Sequence, residues 1–312
     1  MRILFFGTSS ISKAYLEELY KNNHEIFVIT MPDKPASRGQ RLTLPAVKIF
    51  AIEKKINFIQ VRKFTIELIE EIKKFNADIG IVVAYGKLIP KAVFDLPKNN
   101  IFNIHFSLLP KYRGAAPVQY ALCNGESETG VTSFCIEEGL DTGDILMQER
   151  ISIDIRDNAN TLFNKLVPLG VKIMNKTINL FEMNCVKVIP QTGEVSFAPM
   201  FKKEAGLVMW NKSAQEIYNL FRGLCMWPGL YSIVSKGKFV GKRIKFINLE
   251  VFENNSVNDK IGFIFSLEKN RGFTVPCAFG KILVTKVQPE NKSVMSAWDF
   301  IQCGQLVIGD SF

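Results

Sequence analysis

The chain has 312 residues, of which 47% are hydrophobic and 22% charged, and its net charge is +9. Such a balance excludes a disordered or fibrous chain and suits a packed protein of two domains. The longest apolar runs, such as Ile79–Ala84, fall far short of the roughly 20 residues that cross a bilayer, and the apolar start Met1–Gly7 is too short for a signal peptide, so a cytoplasmic protein with no membrane partner is expected.

From the N-terminus, short apolar runs alternate with amphipathic stretches. Strands are expected over Arg2–Phe6, Glu25–Thr30, Asn57–Gln60, Asp78–Ala84 and Asn100–Phe106, and helices over Ser12–Tyr20, Ala46–Lys55 and Thr65–Phe75. In the last of these, Ile66, Ile69, Ile72 and Phe75 read as one apolar stripe. Alternating strand and helix implies a mostly parallel sheet with helices on both faces, an α/β, Rossmann-like domain. The loop after the first strand, Gly7-Thr8-Ser9-Ser10, holds one glycine where a dinucleotide fingerprint needs three, which argues against nicotinamide binding.

Beyond Asp141 a strand is expected over Ile145–Ile153 and a long helix over Asn158–Phe181. Residues 182–204 are mixed and contain Pro190 and Pro199. The division that follows is a first domain over 1–184, a linker over 185–204 and a second domain over 205–312. A helix over Ser213–Leu224 opens the second domain. Short strands then alternate with turn signals at Lys236-Gly237, Asn270-Arg271-Gly272 and Phe279-Gly280, the pattern of a small β-barrel (OB-like). The six cysteines are scattered without a C-x-x-C pair, so neither a metal site nor a disulfide framework is indicated.

The basic excess is uneven. Residues 205–312 carry 13 basic and 8 acidic groups, while the first 204 carry 26 and 22. Such a domain suits a polyanionic partner, although an AT-rich genome also raises lysine usage.

Of the two histidines, His24 lies in the polar turn Asn22–Glu25 and reads as a solvated loop residue. His105 instead closes the apolar strand Ile101-Phe102-Asn103-Ile104-His105. Strand alternation puts Asn103 and His105 on one face, about 6.5 Å apart, near the end of a parallel strand where open α/β sheets bind ligands. An amide and an imidazole buried side by side are costly unless they are hydrogen-bonded or functional; on the strand alone both readings stand.

Directly downstream runs Ser107-Leu108-Leu109-Pro110, then Arg113-Gly114-Ala115-Ala116-Pro117, and later Gly139-Leu140-Asp141-Thr142-Gly143-Asp144-Ile145. With Asn103 and His105, these segments resemble the folate-dependent formyltransferases, whose signature is N-x-H, S-L-L-P and a distant D-x-G-x-I. Met31–Gly39, Val83–Gly86 and Trp227-Pro228 resemble the branch of that family that acts on methionyl-tRNA, and the similarity spans the whole chain. One departure is Phe106, where the family usually has a small residue or proline; in a strand it faces away from His105.

The resemblance implies transfer of a formyl group from 10-formyltetrahydrofolate to the amino group of methionyl-initiator tRNA, by a monomer and without a metal. Its chemistry needs donors for the oxyanion that develops as the amine attacks. Asn103 and His105, as imidazolium, are the implied donors, and Asp141 the residue that keeps His105 charged and helps move the amine proton. Folate contacts are implied at Ala84, Tyr85, Gly86 and Leu88 and at Gly139 and Asp144, with Ser107, Leu108, Leu109 and Pro110 shaping the wall. Implied tRNA contacts are Lys34, Arg38 and Arg41, in a loop over 31–45 that otherwise reads as solvated surface. The basic hairpin that carries Lys242, Arg243 and Lys245 is either a solvated strand face or a surface for the tRNA backbone. A small-molecule amine acceptor such as an aminosugar nucleotide, or a non-catalytic RNA-binding protein, are the alternatives.

Overall fold

In the computed structural model, which describes residues 1–35, 42–257, 260–303 and 306–312, the chain opens as β1 (Arg2–Gly7), α1 (Ser10–Lys21) and β2 (Glu25–Thr30). A short ribbon of β3 (Lys34–Pro35) and β4 (Leu42–Thr43) follows, then α2 (Ala46–Lys54), β5 (Asn57–Gln60), α3 (Ile66–Lys74) and β6 (Ile79–Val83). Next come α4 (Lys91–Phe94), β7 (Ile101–His105), α5 (Pro117–Cys123), β8 (Glu128–Cys135), β9 (Ile145–Ser152) and the 24-residue α6 (Ala159–Glu182).

The first sheet has seven strands in the order β5-β2-β1-β6-β7-β8-β9. Five run parallel, and β8 and β9 are antiparallel additions at one edge, giving the mostly parallel sheet expected. Both faces are covered, which is why β1 and β6 read as unbroken apolar runs rather than alternating ones. Leu4, Phe6, Ile29, Val82 and Ile101 join one core cluster, while their strand neighbours Ile3, Phe5 and Val28 are fully buried. In α3 the expected stripe holds except at its start: Ile66, in the first turn, is 78% exposed, and Leu68 joins Ile69, Ile72 and Phe75 on the packed face.

The loop Gly7–Ser10 is a helix N-cap. Ser9 accepts from the Ser12 backbone in a capping box, and the Ser12 hydroxyl donates to the Val83 carbonyl at 2.6 Å. The serines that replace a glycine fingerprint therefore tie α1 to the end of β6.

The chain divides into two compact units: Met1–Pro117, Glu128–Ser152 and Asn164–Pro199 form the first, and Val118–Ser127, Ile153–Phe163 and Met200–Phe312 the second. Most of the stretch read as a linker, through Pro199, packs with the first unit, where Ser196 and Ala198 exchange backbone hydrogen bonds with Pro110, Arg113 and Ala116.

In the second unit α7 (Ala214–Leu224) precedes β10 (Tyr231–Ile233), β11 (Arg243–Val257), β12 (Ser266–Glu268), β13 (Gly272–Pro276), β14 (Phe279–Pro289), β15 (Met295–Ser296) and α8 (Ala297–Gln302). The antiparallel sheet runs β10-β11-β14-β13-β12. Its two edges are joined by the last residues: Ser311 bridges to Lys236 beyond β10 and to Phe263 ahead of β12. The sheet is thereby barrel-like, and Phe312 fills its core against Trp210, Phe246 and Phe273. Among the described residues no helix is long and apolar enough to cross a membrane.

Candidate active site

Strand β7 lies between β6 and β8, with Asn103 in register with Val82 on one side and Phe134 on the other. Asn103 is half-buried and lines a cleft of about 110 Å³ together with Val82, Leu88, Ile89, Phe134, Ile136, Gly139, Leu140 and Asp141. A wider cleft of about 560 Å³, bounded by Leu88–Lys91, Phe94 and Glu137–Leu140, shares part of the same wall.

His105 stands at the end of β7, 5% exposed and outside the cleft lining. Its Nε2 is 2.8 Å from the Tyr112 carbonyl. A carbonyl only accepts, so Nε2 carries a proton. Its Nδ1 faces Asp141 Oδ2 at 3.6 Å, within ion-pair range and beyond a hydrogen bond. In a neutral ring with the proton on Nε2, the Nδ1 lone pair would point at a carboxylate; in the imidazolium an N–H points there instead.

Asp141 sits in a tight crossing loop. Its backbone is left-handed (φ +53°), and the preceding turn brings it back from the far end of β8 to the level of His105. Only a glycine fits at 143, where a Cβ would lie 1.8 Å from the Cys135 carbonyl oxygen. The Asp141 Oδ2 accepts the Gly114 N–H at 2.7 Å. Gly114 has φ +119° and a built Cβ would approach the Ala198 carbonyl at 2.9 Å, so this donor also depends on glycine. Gln191 closes the arrangement: its Nε2 donates to the Asp141 and Gly143 carbonyls at 2.9 and 2.7 Å, and its Oε1 accepts from Arg113 Nε and Nη2 at 3.2 and 2.7 Å.

The structure brings together Asn103, His105, Asp141, Leu88 and Gly139. Ala84 and Gly86 are exposed, with φ of +43° and +85°, and a Cβ at Gly86 would meet nothing within 4 Å. Tyr85 is buried between them; its carbonyl accepts the Thr8 hydroxyl at 2.8 Å, and burial pushes its phenol up to about 12. Asp144 is half-buried, and its carbonyl accepts the Cys135 N–H.

Ser107, Leu108, Leu109 and Pro110 do not line either cleft. Ser107 is fully buried and donates to the Lys111 carbonyl at 2.6 Å, while its own carbonyl accepts the Thr132 hydroxyl at 2.7 Å. Gln148 donates to Thr132 and to the Leu109 carbonyl, and the Leu109–Pro110 peptide is cis. These hydrogen bonds turn the chain after His105 and carry it to Tyr112, so the segment supports the imidazole from behind. Phe106 is 7% exposed and accommodated within that turn. Sequence reasoning missed Gln191, the Tyr112 carbonyl and the Gly114 amide; only the last two lie near a quoted motif.

Of the basic residues, Lys34 is exposed at the ribbon that closes the 31–45 loop, in register with Thr43. The stem is anchored by Asp33, which accepts from Lys48 at 2.7 Å and Gln60 at 2.7 Å. Arg38 and Arg41 lie outside the described residues. In the second unit Lys242 and Arg243 are exposed, and the Arg243 guanidinium lies 5.6 Å from the Tyr231 ring. Lys245 is half-buried, its stem lying across Gly229.

Residues 1–178 match the formyl transferase family and residues 200–304 the formyl transferase C-terminal domain. A methionyl-tRNA formyltransferase of Endomicrobium trichonymphae is 63% identical over 312 residues, covering 100% of both chains. That of Thermodesulfovibrio yellowstonii is 41% identical, over 99% of this chain and 98% of its own. Among solved structures, a sugar 3N-formyl transferase crystallised in the presence of dTDP and 5-N-formyl-THF superposes with a TM-score of 0.67 at 27% identity, covering 94% of this chain and 99% of its own. The chain belongs to the formyl transferase family.

Proposed function

We propose that this protein transfers the formyl group of 10-formyltetrahydrofolate to the amino group of methionyl-initiator tRNA, giving the formylated initiator used in cytoplasmic translation. The single observation that carries the reading is the full-length 63% identity to a methionyl-tRNA formyltransferase, joined to an Asn103–His105–Asp141 constellation at a cleft.

The cleft suits a pterin. Val82, Ile89, Phe134 and Ile136 supply apolar walls. The left-handed backbone at Ala84 and Gly86, open to solvent, presents unhindered peptide groups to a planar ligand with several donors and acceptors on its edge. The donor supplies the formyl carbon. Asn103 offers its amide N–H to the formyl oxygen as charge develops there. His105, the imidazolium that the family resemblance implies, held by Tyr112 and facing Asp141, contributes a positive field on the same side. Asp141 takes part in moving the proton lost by the attacking amine to N10 of the donor, as the bond between N10 and the formyl carbon breaks and tetrahydrofolate leaves.

The tRNA side of the reading assigns the acceptor end to the 31–45 loop, through Lys34, Arg38 and Arg41, and the phosphate backbone to Lys242, Arg243 and Lys245 of the second domain. A sugar amine is the competing acceptor, favoured by the likeness to the sugar 3N-formyl transferase. An acceptor panel decides. Purified protein with 10-formyltetrahydrofolate should formylate methionyl-initiator tRNA, and leave uncharged tRNA, free methionine and a dTDP-linked aminosugar unmodified. Preferential formylation of the aminosugar would replace this reading.

A further inference from the structure

We propose that Gln191 is a positioning residue for Asp141, acting on the reaction through the carboxylate without touching either substrate. The inference rests on the catalytic reading above.

Gln191 is separated from Asp141 by 50 residues of chain, yet its amide is fully committed at the catalytic loop. Both Nε2 hydrogens are used, toward the Asp141 and Gly143 carbonyls, and both Oε1 lone pairs are used, toward Arg113 Nε and Nη2. Carbonyls only accept and a guanidinium only donates, so one orientation of the amide satisfies all four bonds. No other side chain offers two donors and a doubly accepting oxygen at these positions. Glutamate would keep Arg113 and turn lone pairs on two carbonyls; methionine would leave every partner unpaired.

The consequence falls on Asp141. Its left-handed backbone is unfavourable for a residue with a Cβ and is held by what surrounds it. Gln191 pins the carbonyls on both sides of Thr142, which sets the direction in which the Asp141 side chain leaves the loop. Through Arg113 the same amide pins the turn whose next residue, Gly114, donates to the carboxylate. One side chain thus fixes both the carboxylate and its backbone donor, and with them the 3.6 Å approach to His105.

The test is a thermodynamic cycle on the full chain, with Gln191→Glu, Asp141→Asn and the double variant assayed for formyl transfer to methionyl-initiator tRNA. Gln191→Glu should lower kcat at least about tenfold, since small misplacements of reacting groups are costly, with KM for the donor moved less than about twofold. In the Asp141→Asn background the same substitution should have almost no further effect. An undiminished effect in that background, or a wild-type kcat for Gln191→Glu while Asp141→Asn is impaired, overturns the proposal and leaves the catalytic reading standing. Full activity of Asp141→Asn overturns both. If Gln191→Glu does not fold, Gln191→Met is read in the same cycle; failure of both to fold assigns Gln191 to the fold and likewise overturns the proposal.

Discussion

The carboxylate Oδ2 of Asp141 lies 3.6 Å from Nδ1 of His105 while accepting the Gly114 amide at 2.7 Å. The opposite ring nitrogen is bound to the Tyr112 carbonyl at 2.8 Å. The imidazole is therefore fixed from both ends and sits behind the cleft that Asn103 and Asp141 line.

Asp141→Asn keeps the size of the side chain and removes the charge that faces His105. Turnover should fall severely, with the KM for the folate donor changed much less. Steady-state kinetics with each substrate varied in turn checks this. A parallel loss in both parameters would make Asp141 a binding residue.

Asn103→Ala removes a donor at the cleft wall. Loss of a single oxyanion donor costs about 10²–10³ in kcat, and because Asn103 is half-buried at a cleft the thermal midpoint should stay close to that of the parent. Kinetics and calorimetry on the same preparation separate the two effects; near-normal turnover would remove Asn103 from the site.

Neutralising Lys242, Arg243 and Lys245 together should weaken binding of all tRNAs alike. If all three meet phosphates, the slope of log affinity against log salt should flatten by about 2 to 3, since each phosphate that is no longer neutralised takes roughly 0.7 to 0.9 from it. Titrations at several salt concentrations, with initiator and elongator tRNA, provide the check. An unchanged slope would make this face ordinary solvated surface.

Acid stability should depend on Asp78. Its carboxylate accepts the Arg2 backbone N–H at 2.8 Å and Lys98 Nζ at 2.9 Å, which hold it below the usual carboxylate range, the Arg2 bond contributing most. A group whose folded value is depressed adds stability that is present above its unfolded value, about 3.9, and lost as pH falls through the folded one. Asp78→Asn should therefore be less stable than the parent at neutral pH and show a shallower loss below about pH 4. Denaturant titrations from pH 7 to pH 3 report both slopes.

Much of this was legible in the sequence because local periodicity carries it. Strands β1, β2, β5, β6 and β7 fall within a residue or so of their expected bounds. Asn103 and His105 stood out as polar residues spaced by two in an apolar strand. What escaped depends on contacts distant in the chain. Gln191 lies in an aperiodic stretch whose prolines suggested a linker, and nothing local marks its four hydrogen bonds. Barrel closure rests on isolated bridges through Ser311, too short to leave a strand pattern. Ser107–Pro110 was expected at the folate wall because of its motif; that Ser107 is buried and bound to Lys111, and that the segment meets Thr132 and Gln148, rests on contacts the motif does not announce.

The central claim is that His105, fixed by Tyr112 and Asp141, serves formyl transfer onto charged initiator tRNA. It is tested most directly by single-turnover transfer from 10-formyltetrahydrofolate to methionyl-initiator tRNA, with parent and His105→Ala proteins at saturating enzyme. The account predicts rapid formation of formylmethionyl-tRNA by the parent and a rate lower by about 10² or more for the variant, with tRNA binding retained. A variant rate within a few-fold of the parent, or a parent that forms no formylmethionyl-tRNA, would contradict it.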